Sequence, residues 1–219
     1  MGQGMSKPKA IIFDYGRVLV GPLDPPAFNA ELDALAAEHG FADGPALWKH
    51  IYISEAWERA KRGRITHQAF WDDRLCALGL DTPDAQRAFK ARLYRHWGLY
   101  PDMCALLEVL KKQYRLAVLS NTSRKEFAEY LEQARGLRDL FEVVVSSAEE
   151  GAAKPEPAIY HAALDRLGLQ ASDVLFVDDL KRNTDAAAAL GIPAIVFTTP
   201  EILRSELASR GLLPIDALH

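Results

Sequence analysis

The chain has 219 residues, of which 49% are hydrophobic and 26% are charged. A chain of this length and composition can bury a hydrophobic core and form one domain that carries a smaller inserted one. Its net charge of −4, without long runs of one sign, argues against binding nucleic acid or membrane surfaces through bulk charge.

The two cysteines, Cys76 and Cys104, lack the spacing of a disulfide framework or a zinc site. No apolar stretch approaches the roughly 20 residues of a membrane-spanning helix, and the N-terminal residues lack the apolar core of a signal peptide. We therefore expect a soluble cytoplasmic protein with reduced thiols and no nucleic-acid or membrane partner. The sequence carries no signal for a particular oligomeric state.

Short apolar runs predict strands that are covered on both faces, which is typical of parallel sheets. Between these runs, apolar residues recur at helical spacing, as in Met103, Leu106, Leu107 and Leu110. The alternation predicts an α/β fold with a three-layer, Rossmann-like core around a parallel sheet. The predicted strands are residues 10–13, 116–119, 143–145, 174–177 and 194–197.

A long interval with only helical periodicity separates the first two predicted strands. Phe28 and Leu32 mark one helix in it, and residues 48–60 and 68–78 are long enough for others. The basic residues within 59–64 are interpreted as a solvated face, with a lid contact to an anionic substrate as the alternative. The chain is therefore predicted to have two units, an α/β core of residues 1–20 and 99–219 and an inserted helical cap of residues 21–98.

Polar side chains follow the first four predicted strands, at or shortly after the point where each strand ends. In an open parallel sheet, ligands bind at the carboxyl ends of the strands, so these side chains are expected to converge on one edge. They are Asp14 after the first strand, Ser120 and Asn121 after the second, Lys154 in the loop after the third, and Asp178 and Asp179 after the fourth.

Carboxylates gathered at one edge need a proton or a cation among them. Two unit charges about 4 Å apart repel by about 4 kcal/mol at an effective dielectric constant of about 20. Oxygen ligands favour Mg²⁺, and a phosphate held between this ion, the Ser120 hydroxyl and the Lys154 ammonium would balance the charge. The pattern therefore predicts phosphoryl transfer with Mg²⁺ as the cofactor.

The segments FDYGRVL, VLSNTS, KPEPAIY and FVDD, in this order and with a helical insert after the first, resemble the four motifs of the haloacid dehalogenase-like hydrolases. The resemblance runs from about residue 10 to residue 197. Within this family, the four segments are similar to those of the small phosphatases that include α-glucose-1-phosphate phosphatase and the N-terminal domain of soluble epoxide hydrolase. Each segment alone is a weak signal, whereas the ordered set is specific.

The resemblance implies that Asp14 is a nucleophile that forms an aspartyl-phosphate, which water then hydrolyses. Ser120 and Asn121 are implied to bind the phosphoryl oxygens. Lys154 is implied to hold the nucleophile and the phosphate together electrostatically.

The resemblance also implies a Mg²⁺ site formed by Asp14, the carbonyl oxygen of Gly16 and Asp179, with Asp178 as a supporting ligand. Most phosphatases of this family have a second aspartate where this chain has Gly16. That aspartate acts as general acid and base, a role that typically contributes about 10²–10⁴-fold. Arg17 is a further departure, and it is predicted either to contact substrate or to cover the turn.

The sequence thus predicts a Mg²⁺-dependent phosphatase of small phosphorylated metabolites, with sugar phosphates among the candidate substrates. One alternative is a metal-free 2-haloacid dehalogenase, in which Asp14 would displace halide. The paired Asp178 and Asp179 argue against it, because a metal-free site has no need of them. The other alternative is a binding or regulatory protein with weak catalysis, which kept the fold and lost its acid at Gly16.

Overall fold

The computed structural model of the chain describes residues 7–135 and 137–213. Its strands match the predicted ones to within one residue at each end, and two further short strands flank the insert. They are β1 Ala10–Phe13, β2 Val20–Pro22, β3 Trp97–Leu99, β4 Arg115–Ser120, β5 Val143–Ser146, β6 Val174–Asp178 and β7 Ala194–Val196. The parallel sheet has the order β5-β4-β1-β6-β7, which places β1 at its centre.

The helices alternate with the strands of the sheet, except for the first five, which lie between β2 and β3. They are α1 Pro25–Glu38, α2 Gly44–Tyr52, α3 Glu55–Ala60, α4 His67–Cys76, α5 Pro83–Leu93, α6 Pro101–Leu110, α7 Phe127–Arg135, α8 Ser147–Glu150, α9 Pro157–Leu167, α10 Lys181–Ala189 and α11 Pro200–Ser209. Within the described residues, none of these helices combines the length and the apolar character needed to cross a membrane.

Helices cover both faces of the parallel sheet. Successive side chains of β1 point to opposite faces, so Ile11 packs in one apolar cluster with residues of α6, α7 and α11. Ile12 packs in a second cluster with residues of α9 and α10. This arrangement confirms the predicted three-layer α/β architecture.

The helices α1 to α5 form an apolar cluster of their own, in which Phe28, Leu47 and Phe70 are buried. Each of these helices begins where a side-chain oxygen accepts a hydrogen bond from the first turn, a favourable N-cap. The predicted helix over residues 48–60 is divided, because α2 ends at Tyr52 and the hydroxyl of Ser54 caps the start of α3. The capping residues are Asp24, Asp43, Ser54, Thr66 and Thr82.

The insert is attached through the antiparallel pair of β2 and β3, in which Val20 lies opposite Leu99 and Pro22 opposite Trp97. The sequence predicted only helical structure here, because strands of three residues are too short to show a periodicity. The boundaries predicted for the cap, residues 21 and 98, fall within these two strands. The predicted core includes residues 1–6, 136 and 214–219, which lie outside the described residues.

Candidate active site

The parallel sheet brings the predicted polar residues to one edge. Phe13, the last residue of β1, is paired with Val118 of β4 and with Val177 of β6. The next backbone N–H, that of Asp14, donates to the carbonyl of Val177 at 2.8 Å, so the sheet fixes the position of this aspartate. Each neighbouring strand ends within two residues of its paired position, which places their terminal side chains beside Asp14.

The three aspartates form a compact acidic group. Asp14, Asp178 and Asp179 each offer a carboxylate oxygen, and these oxygens all lie within 4.8 Å of one another. Asp14 and Asp178 are buried, and Asp179 is half-buried. Their mutual repulsion in a poorly solvated site requires a compensating positive charge.

Lys154 supplies part of that charge from the loop that follows α8. Its Nζ atom lies 2.7 Å from Oδ1 of Asp14 and 2.7 Å from Oδ2 of Asp178. Only 2% of the residue is exposed. Burial opposes the ammonium charge, but attraction to the two carboxylates prevails and raises the pKa of Lys154 above its usual value. The lysine is therefore a fixed cation between Asp14 and Asp178.

Burial raises the pKa of the Asp14 carboxyl to about 7, with Lys154 opposing this shift and Asp178 adding to it. Burial and the neighbouring Asp178 also raise the pKa of Asp179, while the charges of Arg17 and Lys154 oppose the rise. One lysine therefore does not neutralise the acidic group completely. A further cation bound at this edge would favour the ionised form of both carboxyls.

Asp178 differs from the other two aspartates in its hydrogen bonds. Its Oδ2 atom accepts from Lys154, and its Oδ1 atom accepts from the N–H of Leu180 and from Nδ2 of Asn183, both at 2.9 Å. The hydrogen bonds of Asp14 from Tyr15 and Lys154 both end on Oδ1. Asp178 therefore organises its neighbours, whereas Asp14 keeps one oxygen for other ligands.

The donors at this edge fit a hard divalent cation. They are carboxylate oxygens, which suit Mg²⁺, and no histidine or cysteine belongs to the group. Among the described residues, Oδ1 of Asn183 is buried without a hydrogen-bond partner. A hydrated ion next to the aspartates would give this amide oxygen a water molecule as donor.

Asn121 contacts the loop that carries Lys154, while its implied contact with phosphoryl oxygens stays a prediction. Its Nδ2 atom donates to the carbonyl of Lys154 at 3.0 Å, and its Oδ1 atom accepts from the N–H of Lys154 at 2.8 Å. Both polar ends of the side chain thus fix the backbone that carries the lysine. Ser120, by contrast, is buried at the end of β4 beside the acidic group.

Two serines that the sequence analysis missed hold the loop after β4. The Ser147 hydroxyl accepts from the N–H of Thr122 at 2.9 Å and donates to the carbonyl of Thr122 at 3.1 Å. The hydroxyl of Ser146 donates to the carbonyl of Arg124 at 2.6 Å. Paired serines at the end of an apolar strand were the available signal, since a buried strand end needs such donors and acceptors.

The turn after Asp14 contains the two departures from the family pattern. At Gly16, an added Cβ would have no heavy atom within 4 Å, and the backbone does not have a positive φ. Arg17 has a φ of 62°, the left-handed conformation that is uncommon for residues other than glycine. The turn therefore has room for a side chain at Gly16 and carries its backbone strain at Arg17.

A loop of the insert lies against this edge. Nε of Arg62 donates to Oε1 of Glu156 at 3.0 Å, and Glu156 is two residues beyond Lys154. At Gly63, an added Cβ would lie 2.1 Å from the carbonyl oxygen of Ala148, so a glycine is needed for this close approach. The prediction of a solvated face is therefore wrong for Arg62, which pairs with acidic residues on both sides.

The helix after this loop, α4, makes a second polar contact between the insert and the core. Nδ1 of His67, the first residue of α4, lies 2.7 Å from the hydroxyl oxygen of Ser123. Ser123 precedes α7, which begins at Phe127. The hydroxyl is thus used across the interface and not at a helix start.

Comparison with known proteins matches the chain to a protein family. The family model for haloacid dehalogenase-like hydrolases matches residues 8–191. Acyl-CoA dehydrogenase family member 10 of Mus musculus is 32% identical over 206 residues, which are 91% of this chain and 19% of that protein. The chain therefore spans about a fifth of the length of that relative. Phosphoglycolate phosphatase of Rhodospirillum rubrum is 30% identical over 222 residues, 95% of this chain and 86% of that protein.

Solved structures share the fold. A HAD family enzyme from Bacteroides thetaiotaomicron, in complex with magnesium and inorganic phosphate, has a TM-score of 0.69 and 22% identity. The comparison covers 87% of this chain and 94% of that one. L-2-haloacid dehalogenase from Xanthobacter autotrophicus has a TM-score of 0.61 and 24% identity, covering 96% of this chain and 86% of that one.

Proposed function

The chain belongs to the haloacid dehalogenase-like hydrolases, and from this premise we propose that it is a Mg²⁺-dependent phosphatase of small phosphorylated metabolites. The observation that carries the proposal is the buried Lys154, which contacts Asp14 and Asp178 within a group of three carboxylates. A buried site with three carboxylates and one lysine suits a negatively charged substrate that binds together with a metal ion.

In the proposed reaction, a free carboxylate oxygen of Asp14 attacks phosphorus. The bond from phosphorus to the ester oxygen breaks, and the ester oxygen leaves with its electron pair and takes a proton from water to form the alcohol. Water then hydrolyses the aspartyl-phosphate, releasing inorganic phosphate and restoring Asp14. Sheet hydrogen bonding of the Asp14 backbone and the Lys154 contact keep the attacking group in place throughout.

The phosphoryl oxygens are proposed to be bound by Ser120, the Lys154 ammonium and the N–H groups of the loop after β4. The hydroxyls of Ser146 and Ser147 fix this loop before substrate arrives, which is the condition for electrostatic stabilisation without reorganisation. Asn121 is proposed to act through Lys154, since its side chain binds the lysine backbone. It is a positioning residue in this scheme.

Mg²⁺ is proposed to be held by Asp14 and Asp179, with the Gly16 carbonyl as a further ligand and Asp178 as support. When bound, the ion neutralises charge on the transferring phosphoryl group. The chain's own contribution is to orient Asp14. Burial raises the pKa of Asp14 to about 7 and also raises that of Asp179, so a bound cation would favour their ionised forms.

We further propose that residues 21–98 act as a cap over the core of residues 1–20 and 99–219. Its contacts with the core, through Arg62, Gly63 and His67, lie beside the loops that carry Lys154 and Ser123. A cap that closes there would exclude bulk water and select the substrate.

The deciding experiment measures phosphate release from p-nitrophenyl phosphate, and chloride release from 2-chloropropionate, each with and without Mg²⁺. We expect phosphate release that requires Mg²⁺, and no chloride release. Chloride release without the metal would establish the dehalogenase alternative instead. Absence of both activities, in a protein that binds Mg²⁺ and phosphate, would support the binding or regulatory alternative.

A further inference from the structure

A set of aromatic and basic side chains lies where the cap helices meet the loop after β4. Two of its members are cations that rest on aromatic rings. Nζ of Lys90 in α5 lies 5.7 Å from the ring centroid of Trp71, and Cζ of Arg124 lies 4.6 Å from the ring centroid of Tyr130. We call these four residues the distal cluster.

The cations of the distal cluster have no acidic partner among residues 7–135 and 137–213. Both are half-buried. The other half-buried lysines and arginines of the insert are paired with acidic side chains, as Arg62 is with Glu156 and Arg92 with Glu31. Positive charge that is partly removed from water and left uncompensated is costly, and an anion at this place would be favourable.

His67 lies close to both cations of the distal cluster. Its Nδ1 atom is 2.7 Å from the hydroxyl of Ser123, the residue before Arg124, and its ring centroid is 6.3 Å from that of Trp71. Burial, together with the charges of Arg124 and Lys90, lowers the pKa of His67 to about 4. The imidazole is therefore neutral near pH 7, and the positive charge of the cluster comes from the lysine and the arginine.

The distal cluster lies one aromatic layer away from the nucleophile. Tyr15, which follows Asp14, has its ring centroid 6.4 Å from that of Tyr130, the ring beneath Arg124. The backbone of Arg124 is fixed at both ends, because its N–H donates to the hydroxyl of Thr122 at 3.2 Å and its carbonyl accepts from Ser146. The loop that would bind phosphate thus also positions this guanidinium.

We propose that Lys90 and Arg124 bind a second anionic group of the substrate, so that the enzyme prefers phosphate esters that also carry a carboxylate or a second phosphate. The inference rests on the proposed phosphatase function and extends it to a substrate class. The planar guanidinium matches either oxyanion through paired hydrogen bonds, and the lysine adds a charge from the cap side. Binding of such a group joins cap to core.

The test compares the affinities of non-hydrolysable phosphonates, so that it does not depend on turnover. Calorimetric titrations in Mg²⁺ buffer use an ω-carboxyalkyl phosphonate, its uncharged carboxamide and the alkane bisphosphonate of the same length, over a short series of lengths. The variants are Arg124→Met, Lys90→Met and the charge-conserving Arg124→Lys. Lys112→Met is the matched control, since this exposed lysine precedes β4 and lies at the opposite edge of the sheet.

We expect the wild type to bind the carboxylate or the bisphosphonate at least about tenfold more tightly than the carboxamide, the effect of charge-assisted hydrogen bonds. Arg124→Met and Lys90→Met should each remove most of this ratio, Arg124→Lys should keep part of it, and Lys112→Met should keep all of it. The tighter of the two anions identifies the chemical class.

A wild-type ratio near one at every length overturns the inference, as does a ratio that survives both methionine substitutions. The two methionine variants lie on separate elements, so a folding defect in one leaves the other as a test. Hydrolysis of p-nitrophenyl phosphate by the wild type reports separately on the proposed function. If that hydrolysis is absent while the affinity ratio holds, the phosphatase proposal fails and the anion site remains.

Discussion

The core side and the cap side of the site differ in how their charges are compensated. On the core side, Lys154 is held between Asp14 and Asp178, and both carboxylate oxygens of Asp178 accept hydrogen bonds. Where the insert meets the core, Lys90 of α5 and Arg124 of the loop after β4 rest on aromatic rings. The proposed catalytic groups thus have partners within the fold, whereas the two cations proposed to bind substrate have no acidic partner among the described residues.

This difference follows from the two apolar cores. The acidic group lies at the end of a sheet that is buried on both faces, so each charged side chain there must find a partner within the fold. The helices of the insert have a separate cluster, and polar pairs such as Arg62 with Glu156 and His67 with Ser123 connect the insert to the core. If the insert acts as the proposed cap, its residues can therefore be replaced to change specificity without disturbing Asp14.

The strongest test of the core side is Asp14→Asn, which removes the nucleophile and a proposed metal ligand together. Turnover should fall to background, and background is negligible because enzymes accelerate phosphate-monoester hydrolysis by up to about 10²¹-fold. Phosphate release by the purified variant measures it. Asp185→Asn, in a surface pair with Lys181, is the control and should keep full activity. Substantial turnover by Asp14→Asn contradicts the covalent mechanism.

Gly16→Asp tests whether the core side lacks a proton donor. The new side chain has open space and an ordinary backbone conformation, so it should fold and supply a general acid. Turnover of alkyl phosphates, whose leaving groups are poor, should then rise by up to about 10²–10⁴-fold, and that of p-nitrophenyl phosphate by less. If wild-type turnover in the chemical step is already independent of leaving-group pKa, another group donates the proton and the rise should be absent.

Alanine substitutions of the adjacent Asp178 and Asp179 should differ in their effects on the stability of the fold and on Mg²⁺ affinity. Asp178→Ala leaves the buried Lys154 without one carboxylate and Asn183 without its acceptor, so it should lower the free energy of unfolding by about 3–5 kcal/mol. Asp179→Ala removes a half-buried carboxylate and should cost far less stability, yet weaken Mg²⁺ binding more. Denaturant titrations and calorimetry measure the two effects. Equal Mg²⁺ affinities for both variants contradict the assignment of Asp179 as the ligand.

The raised pKa of Asp14 predicts how stability depends on pH in the metal-free protein. The carboxyl ionises near its ordinary value of 3.8 when unfolded but only at about 7 when folded. The folded state thus binds more protons in between, and this contribution to stability is lost as pH rises from about 4 to about 7. Its size is on the order of a few kcal/mol.

Thermal unfolding of the metal-free protein, measured from about pH 5 to about pH 8, checks this prediction. Asp14→Asn should flatten the decline seen in the wild type, and saturating Mg²⁺ should restore stability at the alkaline end. Asp185→Asn should retain the wild-type slope. If the stabilities of Asp14→Asn and of the control change over this window by the same amount as that of the wild type, Asp14 does not carry the effect.

The smallest effect is expected where the cap meets the core. Arg62 and Glu156 are partly exposed, so their coupling in a double-mutant cycle with Arg62→Met and Glu156→Gln should be about 0.2–1 kcal/mol. The same substitutions should raise KM more than they lower kcat, since they loosen a cap contact and leave Asp14 untouched. A large fall in kcat at unchanged KM would mean that this pair positions the loop of Lys154 for the reaction.

Local patterns along the chain determined the fold class and the candidates for the site. The apolar runs identified every strand of the parallel sheet, and the residue after each strand indicated Asp14, Ser120 and Asp178, because the carboxyl ends of parallel strands meet. The family was recognisable for the same reason: its motifs are short segments whose order and spacing can be read directly. The proposed roles of these residues stay predictions.

Only the tertiary structure decided how these residues contact one another. Asn121 binds the backbone of Lys154, 33 positions away, Arg62 pairs with Glu156, 94 positions away, and His67 meets Ser123, 56 positions away. Such pairs leave no periodic signal, because they depend on how whole elements pack and not on the neighbours of a residue in sequence. Hydrophobic periodicity specifies which face of an element is buried, whereas the partner of a polar side chain is set by the distance and angle between two packed elements.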